Sequence, residues 1–194
     1  TMTPRQPRGV RMYYDYAIIG AGIVGAASGL ELIRRRPDAR ILLLDKESAV
    51  ACHQSGHNSG VVHAGVYYEP GSLKARLCRE GVRDTREFCQ ENGLPFRTTG
   101  KLIVATDEAE LGRLAALLER CRLNGLAPRI VEHEELRELE PNVAGIRAIR
   151  VAESAITDYP AIVSSMVRQF TGRGGKTRFG AAVEGIEEKA NGVR

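Results

Sequence analysis

No CxxC pair occurs in this 194-residue chain, whose cysteines, Cys52, Cys78, Cys89 and Cys121, are scattered, and no apolar leader precedes them. That pattern fits a reducing cytosol, in which buried free thiols are expected. The longest apolar stretch, Ala17 to Leu30, is interrupted by glycines and falls short of the ~20 residues that a membrane-spanning helix needs. The chain also lacks RNP, zinc-finger and helix-turn-helix patterns. Its net charge of +4 and pI near 9.0 lean on Arg5, Arg8 and Arg11, in a front segment without apolar periodicity. The remainder is nearly neutral, so no nucleic-acid partner is expected. Finally, His53, His57 and His63 are not accompanied by carboxylates or thiolates at ligand spacing, so no metal is expected. What is present suffices for a globular core, with 43% hydrophobic residues.

The most informative stretch is Asp15 to Asp45, DYAIIGAGIVGAASGLELIRRRPDARILLLD. The apolar run Ala17-Ile18-Ile19 leads into Gly20-x-Gly22-x-x-Gly25, an apolar-periodic segment follows to Arg36, and Ile41 to Leu44 form a second buried run. This reads as strand, glycine turn, helix, strand. Gly20 allows the tight turn, Gly22 lets a pyrophosphate approach the backbone, and Gly25 lets the helix lie close to the strand. The helix N-terminus offers free N–H groups and a positive dipole end to phosphates. Asp45, 20 residues after Gly25, stands where a carboxylate accepts both ribose hydroxyls and repels a 2′-phosphate. A dinucleotide site is expected, of NAD or FAD type.

Residues 1 to 12 read as an extension. Lys46 to Glu69 has neither helical nor strand periodicity, and an irregular segment of this length in a compact domain is usually functional. Ser72 caps a helix to about Asn92 with Leu73, Leu77, Val82, Phe88 and Cys89 on one face. Lys101 to Ala105 reads as a strand. Asp107 with Glu110 forms a capping box for a helix bearing Leu111, Leu114, Leu118 and Cys121, stopped at Asn124-Gly125. A short strand, Arg129 to Val131, and a charged helix, Glu134 to Glu140, follow. Asp158 caps a further helix with Ile162, Val163, Met166, Val167 and Phe170 inward. Thr177 to Phe179 and Val183 to Glu187 read as strands, and Asn191-Gly192 as a hairpin turn. A hairpin begun so close to Arg194 leads us to expect the front portion of a longer protein.

With these residues in hand, the chain resembles the D-amino-acid-oxidase-like FAD oxidoreductases, and within them the L-2-hydroxyglutarate oxidase or dehydrogenase group. The closer match is carried by HQSGHNSGVVHAGVYYEPGSLKA (His53 to Ala75), by GKLIVAT (Gly100 to Thr106) and by Asp158-Tyr159 after Ile156. The group usually has Glu where this chain has Asp45. The resemblance implies an α/β, Rossmann-like FAD-binding domain (13–95 and 156–194) with an inserted α+β substrate domain (96–155), both incomplete.

It also implies FAD as cofactor and a small 2-hydroxy acid as substrate, its C2 alcohol oxidised by hydride transfer to flavin N5. Electrons pass to a quinone or to O2, in the cytoplasm, with peripheral membrane contact left open. Gly20, Gly22 and Gly25 would take the pyrophosphate and Asp45 the ribose. Ser55, Gly56, His57, Asn58, Ser59 and Gly60 would run along the flavin, and Val183 would meet the adenine. His57 falls where some related dehydrogenases attach FAD covalently, and otherwise would hydrogen-bond the flavin. His63 is the candidate base, imidazole being suited to proton removal near neutral pH. His53 is a further candidate. Lys74, Lys101 and Tyr67 are candidates for the substrate carboxylates and pocket floor. Three alternatives stay open: a related FAD amine or amino-acid oxidase or glycerol-3-phosphate dehydrogenase; an NAD-linked dehydrogenase; and a non-catalytic dinucleotide-binding module.

Overall fold

The computed structural model describes residues 13–190, 192 and 193. The front extension and Asn191 of the expected hairpin lie outside them. In chain order the elements begin with β1 (Tyr16–Ile19), α1 (Ile23–Arg35), β2 (Ile41–Leu44), β3 (Val61–Val62), α2 (Leu73–Glu91) and β4 (Phe96–Thr98). Next come β5 (Lys101–Ala105), α3 (Glu108–Leu123), β6 (Arg129–Glu132), α4 (His133–Leu139), β7 (Arg147–Val151) and β8 (Ala155–Thr157). The last are α5 (Tyr159–Gly172), β9 (Lys176–Arg178), β10 (Glu188–Lys189) and β11 (Gly192–Val193). They form two compact units, Thr1–His57 with Tyr159–Arg194, and Asn58–Asp158.

The first unit is built on a parallel sheet of order β1-β2-β9, with Tyr16 opposite Ile41 and Leu42 opposite Lys176. Parallel neighbours need a crossover, and α1 and α5 supply it. Ala26, Gly29, Leu30 and Ile33 of α1 are buried at three- and four-residue spacing, as one helical face requires. That face meets α5, whose Val163, Val167 and Phe170 join Ile33, Ile41 and Leu43 in the core. The Phe170 ring packs beside Gly29, where an added Cβ would meet it at 3.5 Å, an ordinary van der Waals distance.

Two expectations for this unit change. Residues 183–187 carry no strand and join no ladder among the described residues. The hairpin pairs Lys189 with Gly192, so Gly192 stands in a strand instead of in the turn.

In the second unit, an antiparallel sheet of order β5-β7-β6 carries α3 and α4, and β3-β8-β4 forms a second sheet. Its central strand β7 follows the Pro141-Asn142 turn and Gly145, but RAIRV mixes both periodicities and so does not read as a strand from sequence. Leu114, Leu118 and Cys121 of α3 face Ala105, Ile149 and Val151. This compact unit takes in β3, which pairs with β8, and α2, which is tied in by Arg79, whose Nη1 donates to the Asn124 carbonyl (3.1 Å). The expected apolar face of α2 is also corrected. Ala75 and Cys89 are buried, while Leu73 and Leu77 are exposed, Leu73 lying about 200° round the helix from Ala75 at 100° per residue. Among the described residues no helix is long and apolar enough to cross a membrane.

Candidate cofactor and substrate sites

The glycine turn folds as its spacing requires. Gly20 has φ +103°, which a side chain would strain, and a Cβ on Gly25 would collide with the Gly20 carbonyl oxygen. Gly22 is the N-cap of α1 and has no side chain to satisfy the first N–H groups. Ser55 does that from 32 residues away, its Oγ accepting from Ile23 N–H at 2.9 Å. Asp45 closes the same end: Oδ2 accepts from Ala21 N–H (2.6 Å) and Oδ1 from Glu47 N–H (2.9 Å). Partial burial pushes the Asp45 carboxyl up. The Glu47 and Ala21 N–H groups, helped by nearby His53 and Lys46, outweigh it and hold the pKa below the ordinary aspartate range.

After β9 the chain returns to this end, Gly180 N–H donating to Glu47 O (2.8 Å) and Ala181 N–H to Asp45 O (2.9 Å). Val183 thus lines, with Gly20, Gly22, Asp45, His53 and Ser55, a cleft of about 420 Å³. Nothing in the local sequence announces the 180–181 contacts, which join residues more than 130 positions apart.

Within the histidine-rich loop, His53 Nε2 lies 2.8 Å from Glu47 Oε1. His57 Nδ1 is 3.0 Å from the His53 carbonyl, which only accepts, so Nδ1 carries the proton in that bond. Gly56 has a packing reason, because a Cβ would collide with the Ala51 carbonyl oxygen. Asn58, Ser59 and Gly60 belong to the second unit. There Asn58 Oδ1 accepts from Gly60 N–H (2.8 Å), Gly60 O accepts from Thr157 N–H (2.8 Å), and Ser59 is exposed.

A smaller cleft, of about 140 Å³, lies in the second unit and gathers His63, Tyr67, Lys101 and Ser154. Lys101 Nζ donates to Tyr67 Oη (3.2 Å) and stands 4.7 Å from the ring centroid. The cleft wall is fixed by Asn124, whose Nδ2 donates to Gly65 O (3.2 Å) and Tyr68 O (2.9 Å). The sequence shows Asn124 only as a helix stop. His63 is anchored through its backbone, since its carbonyl accepts from Cys78 Sγ–H (2.9 Å). Burial raises the Cys78 pKa and so keeps that donor protonated. Lys74 lies exposed on α2, outside this cleft.

Residues 15–194 match the family model described as FAD dependent oxidoreductase. The chain belongs to this family. FAD is the family's cofactor, and a glycine turn with a positive φ, a helix N-terminus without its own cap and a carboxylate beside the turn fit the group. Over 180 residues the chain is 50% identical to the L-2-hydroxyglutarate dehydrogenase of Escherichia coli, covering 93% of this chain and 43% of that protein. The mitochondrial L-2-hydroxyglutarate dehydrogenase of Homo sapiens is 42% identical over 175 residues, 90% of this chain and 38% of that one. The chain therefore spans less than half the length of these relatives. Among solved structures, L-alpha-glycerophosphate oxidase from Mycoplasma pneumoniae with FAD bound superposes with a TM-score of 0.80 at 23% identity (92% of this chain, 47% of that one). Glycine oxidase from Geobacillus kaustophilus gives 0.81 at 22% (93% and 50%). At such identity these two share the fold.

Proposed function

We propose that the protein oxidises the C2 alcohol of L-2-hydroxyglutarate, or a similar 2-hydroxy acid, to the 2-oxo acid. The observation that carries this reading is the 50% identity to an L-2-hydroxyglutarate dehydrogenase across 93% of the chain. Bound FAD supplies the two-electron acceptor. The first unit holds it: the turn of Gly20, Gly22 and Gly25 takes the pyrophosphate, Asp45 the ribose hydroxyls through its remaining lone pairs, and Val183 the adenine. Ser55, Gly56 and His57 contact the flavin side, His57 as a hydrogen-bonding group.

On the substrate side, His63 takes the hydroxyl proton at a ring nitrogen as C2 is oxidised, and Lys101 and Tyr67 contact the substrate. Lys74 is a second candidate cation. Electrons go on to a quinone or O2. The proposed location is the cytoplasm, with peripheral contact at the inner face of a membrane.

The test is an absorbance spectrum of the FAD-loaded chain, taken anaerobically. L-2-Hydroxyglutarate is expected to bleach the band at about 450 nm that marks oxidised flavin, while glycine and glycerol 3-phosphate leave it. Bleaching by the amine instead overturns the reading. His63→Gln is expected to slow bleaching by about 10²- to 10⁴-fold with FAD still bound, the usual contribution of a general base.

A further inference from the structure

The small cleft of the second unit carries more than the sequence suggested. Three buried side-chain atoms among the described residues have no hydrogen-bond partner: Asn124 Oδ1, Glu153 Oε2 and Ser154 Oγ. Ser154 alone of these residues lines the cleft. It is 2% exposed, and its backbone carbonyl is already used, accepting from Thr99 N–H (3.2 Å) and Gly100 N–H (2.9 Å). Those bonds hold Ser154 against the start of β5, where Lys101 follows Gly100. A buried hydroxyl without a partner costs free energy unless something else occupies its hydrogen-bonding capacity.

The surroundings indicate what that something is. Lys101 brings a positive charge, and no acidic side chain lines the cleft among the described residues. Tyr67 Oη accepts a hydrogen bond from Lys101 Nζ and keeps its own O–H to donate. One ammonium and two hydroxyl donors, with no competing carboxylate, form an anion site. At about 140 Å³, against roughly 30 Å³ for a water molecule in the liquid, it has room for a carboxylate on a short methylene arm. An adenosine or a flavin ring would not enter.

We propose that Lys101, Tyr67 and Ser154 form a carboxylate subsite that receives the end of a dicarboxylate remote from its reacting carbon, with Ser154 a specificity-determining residue. Only the assignment of the diacid as the substrate's C5 end rests on the reading above; the subsite stands on its own donors. It predicts that a C5 diacid binds while the C5 diol of the same length, which offers no carboxylate to the ammonium and the two hydroxyl donors, does not.

The experiment titrates glutarate and pentane-1,5-diol into the FAD-loaded chain labelled with nitrogen-15, and follows backbone amides by NMR. Glutarate is expected to shift Gly100, Lys101 and Ser154 to saturation, with an affinity at least about tenfold above that of the diol, as a charge-assisted hydrogen bond contributes. Lys101→Met is expected to erase that preference, and Ser154→Ala, which removes a single oxygen, to reduce it about three- to tenfold. Unchanged amide spectra elsewhere confirm that both variants are folded. Glutarate shifts absent from the unsubstituted chain, or a preference that survives both substitutions, overturns the proposal. Flavin bleaching is scored separately: bleaching with no role for Lys101 and Ser154 sinks the subsite alone, and a subsite without bleaching sinks the reaction alone.

Discussion

Asp45 and Ser55 each hold a part of the helix end that the glycine turn leaves bare. Asp45 is stabilised as the anion by the Glu47 and Ala21 N–H groups, so its pKa in the folded chain lies below the ordinary aspartate value. A depressed carboxylate contributes stability that is fully present above its unfolded pKa, near 3.9, and is lost as the pH falls through the lower folded value. The urea midpoint is therefore expected to drop below about pH 4, and Asp45→Asn to flatten that part of the profile. Ser55→Ala removes the cap on Ile23 N–H and is expected to cost about 1 kcal/mol in urea unfolding. Asp45 was legible from its distance after Gly25, since the length of the strand–turn–helix–strand unit sets that spacing. The capping bond of Ser55 was not, because it closes a loop whose path has no periodicity.

At the level of elements, the α1–α5 pair over the parallel sheet carries the first unit's core. Phe170 is fully buried there, against Gly29 and in the cluster with Ile33 and Leu43. Phe170→Ala is expected to destabilise by about 3–5 kcal/mol, read as a fall in urea midpoint with an unchanged slope, and Phe170→Leu by less than about 1.5 kcal/mol. The strands and helices with strong periodicity or caps were readable in advance: β1, β2, β5, α3 and α5 lie within a residue or two of their expected ends. Leu73 and Leu77 misled because apolar spacing along a helix names a face without naming what covers it. Val183 to Glu187 misled because a β-rich composition cannot form a strand without a neighbour.

For the molecule as a whole, the two units set the arrangement of chemistry. One cleft in the first unit collects Gly20, Gly22, Asp45 and Val183, and one cleft in the second collects His63, Tyr67, Lys101 and Ser154. FAD binding to the native chain alone is expected to raise its apparent stability by about 2.7 kcal/mol at a free concentration 100 times Kd. Hydrogen exchange should slow at 20–25, 45–55 and 181–183 if the first cleft is the site; slowing confined to the second cleft would refute that assignment. By itself the sequence determined the dinucleotide turn, its acid and the loop of histidines, because local sterics, capping and spacing act over a few residues and leave a signature in order and composition. Only the tertiary structure decided that Ser55 caps α1, that Asn124 clamps the 65–68 turn and that the Ser154 carbonyl receives the Thr99 and Gly100 N–H groups. Those contacts join distant residues through backbone groups that every amino acid shares, so no residue pattern announces them.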